Sequence, residues 1–461
     1  MAACSPIQYV SRPIDADASA AGYSARSAQS DGLRDFAVAN GYAPGDWPPL
    51  QWGLKELTLT AWYFDADMRT ARARATVALA KSDTGGASRN WSGTVKPEHH
   101  SRSPGDDSPW SLGLELEIPL VAQDRRAALA ERNAFLVDAA DIDVAMAAWL
   151  VRARVRDGYH ELQASRDVLQ ALDAQLMART NLVSLMNRRV EAGMISARDL
   201  ATERFMYSQL KHQRDQQLVS HQRALADLAA SLGLPLDVAA KMDLRFEAPF
   251  LQDTDLAAGS LRRQALRNRL DVHRKLLEFG TADAEVKQAV AAQNPGITLG
   301  PGYAWDQGDN IWSLALGLSL PPATQARAVI REAMARRELA AEHFAGTQTT
   351  VMFEAERAGA QYQLARERIA ASAQQLGEQQ EQEARVQRQF DAGAADRVQR
   401  VTARIDTLAA QMQHQAVLAE GRHALAQLED ALQRPLQGDV EALPRIAVSR
   451  STDASKAMVK P

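Results

Sequence analysis

The chain has 461 residues, 46% hydrophobic and 24% charged, with a formal net charge of −4; this is the composition of a folded protein with room for two or three domains, and it excludes a disordered one. Its 53 Lys and Arg are interleaved with 57 Asp and Glu along the chain, so there is no basic patch and no nucleic-acid partner is expected. No apolar run reaches the roughly 18 residues of a transmembrane helix, so any contact with a membrane is made through a β-barrel or a covalent lipid.

Cys4 is the only cysteine, which rules out an intramolecular disulfide. Met1-Ala2-Ala3-Cys4-Ser5 has the form of the end of a bacterial lipoprotein signal peptide and its acylated cysteine, without the apolar segment that precedes it. The alternative is a cysteine placed by chance near an N-terminus. Residues 1–50 are rich in Ala, Ser, Asp, Gly and Pro, lack apolar periodicity and read as an extended tether.

The first repeat spans residues 51–236. From Leu54 through Trp62, Met68 and Ala75, apolar residues recur at helical spacing, with a turn expected at Phe64-Asp65-Ala66-Asp67. A short alternating strand at about 89–96 and a polar loop from Pro97 to Ser108 lead into a second strand at about 110–120, making a β-hairpin with a long loop. In that second strand Trp110, Leu112, Leu114, Leu116 and Ile118 share one face, and Ser111, Gly113, Glu115 and Glu117 the other. Long helices are expected at about 121–190 and 196–234, a tract with no proline and many good helix formers.

After an inter-repeat segment at 237–260 that should lie at the waist of the helical body, residues 261–436 repeat the plan. A helix from Leu270 to Ala292 precedes strands at about 297–305 and 311–320, and helices follow at about 323–390 and 396–434. The strand from Trp312 rewrites the one from Trp110, with Leu314, Leu316 and Leu318 alternating with Ser313, Ala315 and Gly317. From Asn181 to Leu236 and from Glu381 to Leu436 the halves share about fourteen identities without a gap, including Gly193/Gly393 and Pro235/Pro435. The chain is therefore a tandem duplication, ending in a tail at 437–461 beside the waist.

At 1.5 Å per residue the outgoing helices span about 90 Å and the return helices about 60 Å, so they must pair as coiled coils. Strands with one apolar face and one small or charged face suit a wall between lipid and a watery lumen, although a soluble sandwich alternates too. Four strands cannot close a barrel, so the missing ones must come from other copies.

Taken together, the two strand hairpins, the two helical hairpins, the turns Val190-Glu-Ala-Gly193 and Phe390-Asp-Ala-Gly393, Arg269-Leu-Asp271 opening the second repeat, and Cys4 resemble the TolC-like outer-membrane efflux proteins. Trp52-Gly-Leu-Lys-Glu-Leu57 is closer to the heavy-metal and multidrug branch of that family than to its protein-secretion branch. The resemblance covers about residues 50–440. It implies a mainly α fold with a small β part, a homotrimer with a 12-stranded barrel in the bacterial outer membrane, and an α-helical barrel crossing the periplasm to an adaptor protein and an inner-membrane pump. The departures are the missing leader and a second tip without the aspartates that close the gate in some members.

On this reading Cys4 is lipidated, Leu114 and Leu316 face lipid, and Glu115, Glu117 and Ser313 line the lumen, where carboxylates would favour cations. In a soluble sheet the same glutamates would merely be solvated. Gly193 and Gly393 supply the left-handed backbone of the turns, and Ser196 with Asp199, and Asp396 with Gln399, have the spacing of helix-capping boxes. Asp199 is alternatively a constriction carboxylate. In the family these turns are the adaptor-facing tips. Glu98-His99-His100 invites a metal, but adjacent imidazoles seldom bind one ion and a third ligand is missing. With no P-loop, HExxH, GxGxxG or nucleophile elbow, neither enzyme activity nor a cofactor is expected. The function expected is a passive efflux conduit; the alternative is a soluble or peripheral coiled-coil scaffold.

Overall fold

The computed structural model describes residues 9–43, 45–85, 91–101, 108–120, 123–246, 256–306 and 308–436. Cys4, the tail at 437–461 and much of the expected waist lie outside them.

The N-terminal segment departs from an extended tether. It carries α1 (Ala16–Ser24) and α2 (Asp31–Ala39), and Leu33 and Ala37 of α2 are fully buried. Leu33, Phe36 and Ala37 recur at i, i+3 and i+4, a single apolar stripe hidden within a small-residue composition. Tyr42, Trp47 and Trp52 then stack edge to face, with centroids 5.2 and 5.3 Å apart, and fasten the segment to the body.

Helix α3 (Leu54–Phe64) ends where the turn is expected: Asp65 leaves the helix in extended conformation. Its Oδ1 accepts from the Asp67 and Met68 N–H groups at 2.8 and 3.0 Å and so caps α4 (Ala66–Gly85). In the second half α8 (Ala258–Asn268) and α9 (Leu270–Ala291) break in the same way at Arg269. The second repeat thus begins with α8, three residues inside the segment assigned to the waist from sequence. Arg269 holds both Asp271, at the start of α9, and Glu354, at 3.0 Å.

The long helices are α5 (Gln123–Glu191) and α6 (Ala197–Leu232) in the first half, and α10 (Ala323–Asp391) and α11 (Arg397–Leu432) in the second. Each outgoing helix has 69 residues and each return helix 36, or about 100 and 55 Å. α5 pairs with α6, α10 with α11, and α11 with α5, which joins the halves. One core gathers Leu33, Leu57, Trp62, Val151, Tyr159, Leu228 and Leu232 around α3, α5 and α6. Its counterpart gathers Leu261, Val272, Tyr362, Leu428 and Leu432 around α8, α10 and α11.

The two return helices end at equivalent positions by different means. Gly233 takes φ +68 without a side chain, whereas Gln433 takes φ 42 and its Oε1 accepts from the Leu270 N–H at 2.6 Å. That bond ties the end of α11 to the start of α9 and offsets the left-handed strain.

The strands are β1 (Ser92–His99), β2 (Trp110–Leu120), β3 (Gly296–Asp306) and β4 (Asp309–Ser319). They form one antiparallel sheet in the order β1-β2-β3-β4. β1 lies three residues later than its sequence-based placement and includes Pro97, which an edge strand tolerates. A short turn with Gly308 at φ +108 joins β3 and β4.

Candidate functional site

Two regions present chemistry outward: the sheet and the helical tips. The register places Val95 opposite Leu114, Leu114 opposite Tyr303, and Tyr303 opposite Trp312. Residues directly opposite share a face, so one side of all four strands is apolar, from Val95 through Leu112 and Leu114 to Leu299, Trp305, Leu314, Leu316 and Leu318. Among the described residues nothing covers the β4 end of this face: Trp312 is 80% exposed, Leu314 70% and Leu316 63%.

On the opposite side stand Glu115, Glu117 and Ser313. Lys96 Nζ lies 3.7 Å from Glu115, and the Ser92 hydroxyl donates to Glu117 at 3.1 Å. The alternation of the strand is enough to put the glutamates on this face; it does not show that β1 brings a lysine to one of them. Across β3 and β4 this side is kept low, since a Cβ on Gly302 would lie 2.5 Å from Ser313 Oγ and one on Gly317 2.2 Å from Thr298 Oγ1. A larger residue at either position would require the facing hydroxyl to turn away.

The adjacent imidazoles do not converge. His99 stacks edge-on against Trp110 with centroids 4.7 Å apart. His100 Nε2 lies 3.3 Å from both the Ser111 hydroxyl and Asp306 Oδ1.

At the far end of the helices, Gly193 and Gly393 take φ +69 and +75. In each turn the residue after the glycine donates back to the outgoing helix: Met194 N–H to Arg189 O at 2.8 Å, and Ala394 N–H to Gln389 O at 2.7 Å, the C-terminal closure that a left-handed residue permits. Ser196 Oγ accepts from the Asp199 N–H at 3.2 Å and donates to its carboxylate at 2.8 Å. Asp199 is thus occupied as a cap partner. Asp396 Oδ1 accepts from the Gln399 N–H at 2.9 Å while Gln399 Oε1 accepts from the Asp396 N–H at 2.8 Å, a full capping box.

A residue not singled out from sequence completes this end: Arg189 Nη2 binds Asp396 Oδ2 at 2.9 Å and so joins the tips of the two repeats. The Arg189 hydrogen bond, then that from Gln399, holds the Asp396 carboxyl below the usual carboxylate range. Leu182 of α5 packs against Val401 and Ile405 of α11 beneath the pair.

A second group absent from the sequence reading sits midway along α5. Arg152 and Arg156, each with its side chain 1% exposed, meet Glu429 Oε2 at 3.3 and 3.1 Å, and Arg156 Nη2 meets Asp430 Oδ2 at 2.8 Å. Burial opposes the charge on Arg156, but the Asp430 hydrogen bond and the attraction of Asp430, Asp157 and Glu429 outweigh it and raise its pKa. Trp149 Nε1 donates to Asp430 at 3.1 Å, and Glu429 Oε1 accepts from the Leu436 N–H at 2.6 Å. The only sequence signal is Trp149, Arg152 and Arg156 on one side of a helix.

Among the described residues no helix is long and apolar enough to cross a membrane and no cluster of three His, Cys, Asp or Glu side chains could hold a metal ion.

No curated protein matches this chain. Solved structures with the same architecture include the outer membrane protein VceC of Vibrio cholerae, 19% identical with a TM-score of 0.66 over 83% of this chain and 97% of that one. The CmeC outer membrane channel of Campylobacter jejuni is 14% identical, with a TM-score of 0.65 over 93% of both chains. The open state of the MtrE outer membrane channel of Neisseria gonorrhoeae is 17% identical, with a TM-score of 0.66 over 84% of this chain and 91% of that one. The family model for outer membrane efflux proteins matches residues 65–234 and 261–433, one stretch in each repeat, and the chain therefore belongs to the outer membrane efflux protein family.

Proposed function

We propose that this protein is the passive outer-membrane conduit of a tripartite efflux assembly. Three copies close their sheets into a 12-stranded barrel, the helical hairpins form a tunnel across the periplasm, and six glycine tips meet an adaptor that leads to an inner-membrane pump. The observation that carries this reading is the sheet itself. Its apolar face is continuous over four strands and, at the β4 end, bare, and among the described residues the outer edges of β1 and β4 pair with no further strand. An exposed, flat, apolar edge strand is an aggregation site in water, whereas in lipid closure by further copies satisfies every edge.

In this arrangement Leu114 and Leu316 face lipid, and Glu115, Glu117 and Ser313 line the lumen beside the low glycine and alanine surface of β3 and β4. Cys4 carries an acyl chain that adds a second hold on the membrane. The cargo is a class of small molecules, drugs or metal ions, that the pump selects. No residue is assigned a bond-making role.

The test is purification followed by a planar bilayer. A conduit needs detergent, has the mass of three chains and gives large single-channel steps. A coiled-coil scaffold stays in solution without detergent and conducts nothing, and that outcome would overturn the proposal.

A further inference from the structure

The helices next to the sheet stand in the order of its strands. α4 leads into β1, β2 into α5, α9 into β3 and β4 into α10, and α4 packs on α5, α5 on α9 and α9 on α10. Nearer the tips the row is α6, α5, α11 and α10. Its two ends, α6 and α10, lie on the sides of the edge strands β1 and β4. A head-to-tail contact of one end with the other is the kind that closes a ring of copies.

The duplication supplies the register of that contact. α6 starts 200 residues before α11, and α10 starts 200 residues after α5. Packing α6 of one copy on α10 of the next therefore repeats the α5–α11 packing that the chain already makes within itself. There Ile405, 6% exposed, packs with Leu182; the equivalent residues are Phe205 on α6 and Gln382 on α10. Phe205 is 62% exposed in the single chain, and Gln382 is exposed as well. The second copy covers both.

The two seams differ in what holds them. Near the tips, within the chain, Leu182, Leu185 and Met186 of α5 pack with Val398, Val401 and Ile405 of α11, and the Arg189–Asp396 pair lies beyond them at 2.9 Å. At the equivalent positions between copies stand Gln382, Arg385 and Val386 on α10 and Arg198, Ala201 and Phe205 on α6, and the ion pair becomes Gln389 and Ser196. Farther from the tips, Arg152, Arg156 and Glu429 become Met352, Glu356 and Ala229. The seam within the chain is thus fastened by an apolar knot and by buried charges that cannot be separated without being left unpaired. The seam between copies has neither, and an arginine stands on each side of it.

We infer that the ring of helix tips opens at the seams between copies: the two tips of one chain, joined through α5 and α11, move as one body, and α6 parts from α10 of the next copy. The inference rests on the conduit reading, which supplies the ring.

The experiment places the same pair of cysteines at both seams of the full-length protein. Leu182→Cys with Ile405→Cys spans the seam within the chain, and Phe205→Cys with Gln382→Cys the equivalent one between copies; the periplasm is oxidising enough for either disulfide to form. Non-reducing electrophoresis should show the first variant at the mass of one chain and the second as linked chains, with the four single variants as controls for pairing with Cys4. In a strain lacking its own copy, the linked chains should lose efflux-dependent resistance and regain it when the disulfide is reduced. The first variant should keep wild-type resistance before and after reduction. Phe205 and Gln382 are exposed positions, and their pair carries the test if the variant at Leu182 and Ile405 fails to fold. Unlinked chains in a protein with the mass of three, wild-type resistance from linked chains, or a loss of resistance caused by the first disulfide would each overturn the inference and leave the conduit reading standing. A protein with the mass of one chain that conducts nothing removes the conduit reading, and this inference with it.

Discussion

Three glycines with nearly the same backbone, Gly193, Gly393 and Gly233, separate the cost of a left-handed residue from the cost of crowding. Their φ values are +69, +75 and +68. A Cβ at Gly193 or Gly393 would meet nothing within 4 Å, whereas one at Gly233 would lie 3.2 Å from the Phe64 carbonyl carbon, its oxygen and its Cβ. Gly193→Ala and Gly393→Ala should therefore each cost about 1–2 kcal/mol, the backbone penalty alone. Gly233→Ala should cost that and a further 1–3 kcal/mol, roughly, for overpacking against a backbone that cannot swing aside. Thermal melting of the purified protein would rank the three, and hydrogen exchange at the tips would show where the first two act. The paired replacement Gly193→Val with Gly393→Val puts β-branched residues at positive φ and should displace both tips while the helical body holds. Expected are normal assembly and conductance, with loss of efflux-dependent resistance in a strain lacking its own copy. Wild-type resistance from that double variant would remove the tips from the docking role, and a Gly233→Ala protein as stable as Gly193→Ala would refute the packing argument.

Leu316→Arg and Leu114→Arg should each cost about 2–4 kcal/mol if those positions lie at the bilayer mid-plane and should reduce membrane assembly, while Ser313→Arg on the other face should be tolerated; membrane yields of the three variants check the strand phase. Glu429→Ala leaves Arg152 and Arg156 buried without their shared acceptor and should cost about 3–5 kcal/mol, read as a lower melting temperature, with Glu429→Gln intermediate. The folded Asp396 carboxyl is held below its unfolded pKa, so the Arg189–Asp396 link contributes fully above the unfolded value and is lost as pH falls through the depressed folded one. Spin labels near the two tips should report a distance that is constant around neutrality and widens only in acid, and Asp396→Asn should give the widened distance at every pH.

Features that repeat locally are legible in the amino-acid sequence. The strand from Trp110 keeps its period of two through Ile118, and the proline-free tracts between glycine turns give the long helices to within a few residues. The capping pairs Ser196/Asp199 and Asp396/Gln399 are legible because a cap is decided within four residues. What sequence does not reveal depends on which helix lies beside which. Arg152, Arg156 and Glu429 look like ordinary charged helix positions until α11 is known to pack on α5, nearly 280 residues apart in sequence, and the same holds for Arg189 with Asp396. Pro97 misplaces β1 because a proline reads as a loop residue unless the strand is known to be an edge.

The outgoing helices of the two repeats agree in length to the residue, as do the return helices, although few side chains were kept between them. Removing one residue from the middle of α5 would draw everything beyond it back by about 1.5 Å and swing it round by about 100°, so the contacts of Leu182 with Val401 and Ile405 would be out of phase. No change of side chain produces such a shift. The quantity held constant since the duplication is thus the number of residues within each long helix, whose starts and ends all lie 200 residues apart. Substitutions along these helices should accumulate freely, whereas a single insertion or deletion within one of them would be as disabling as the loss of a whole element, unless it were matched in its partner helix.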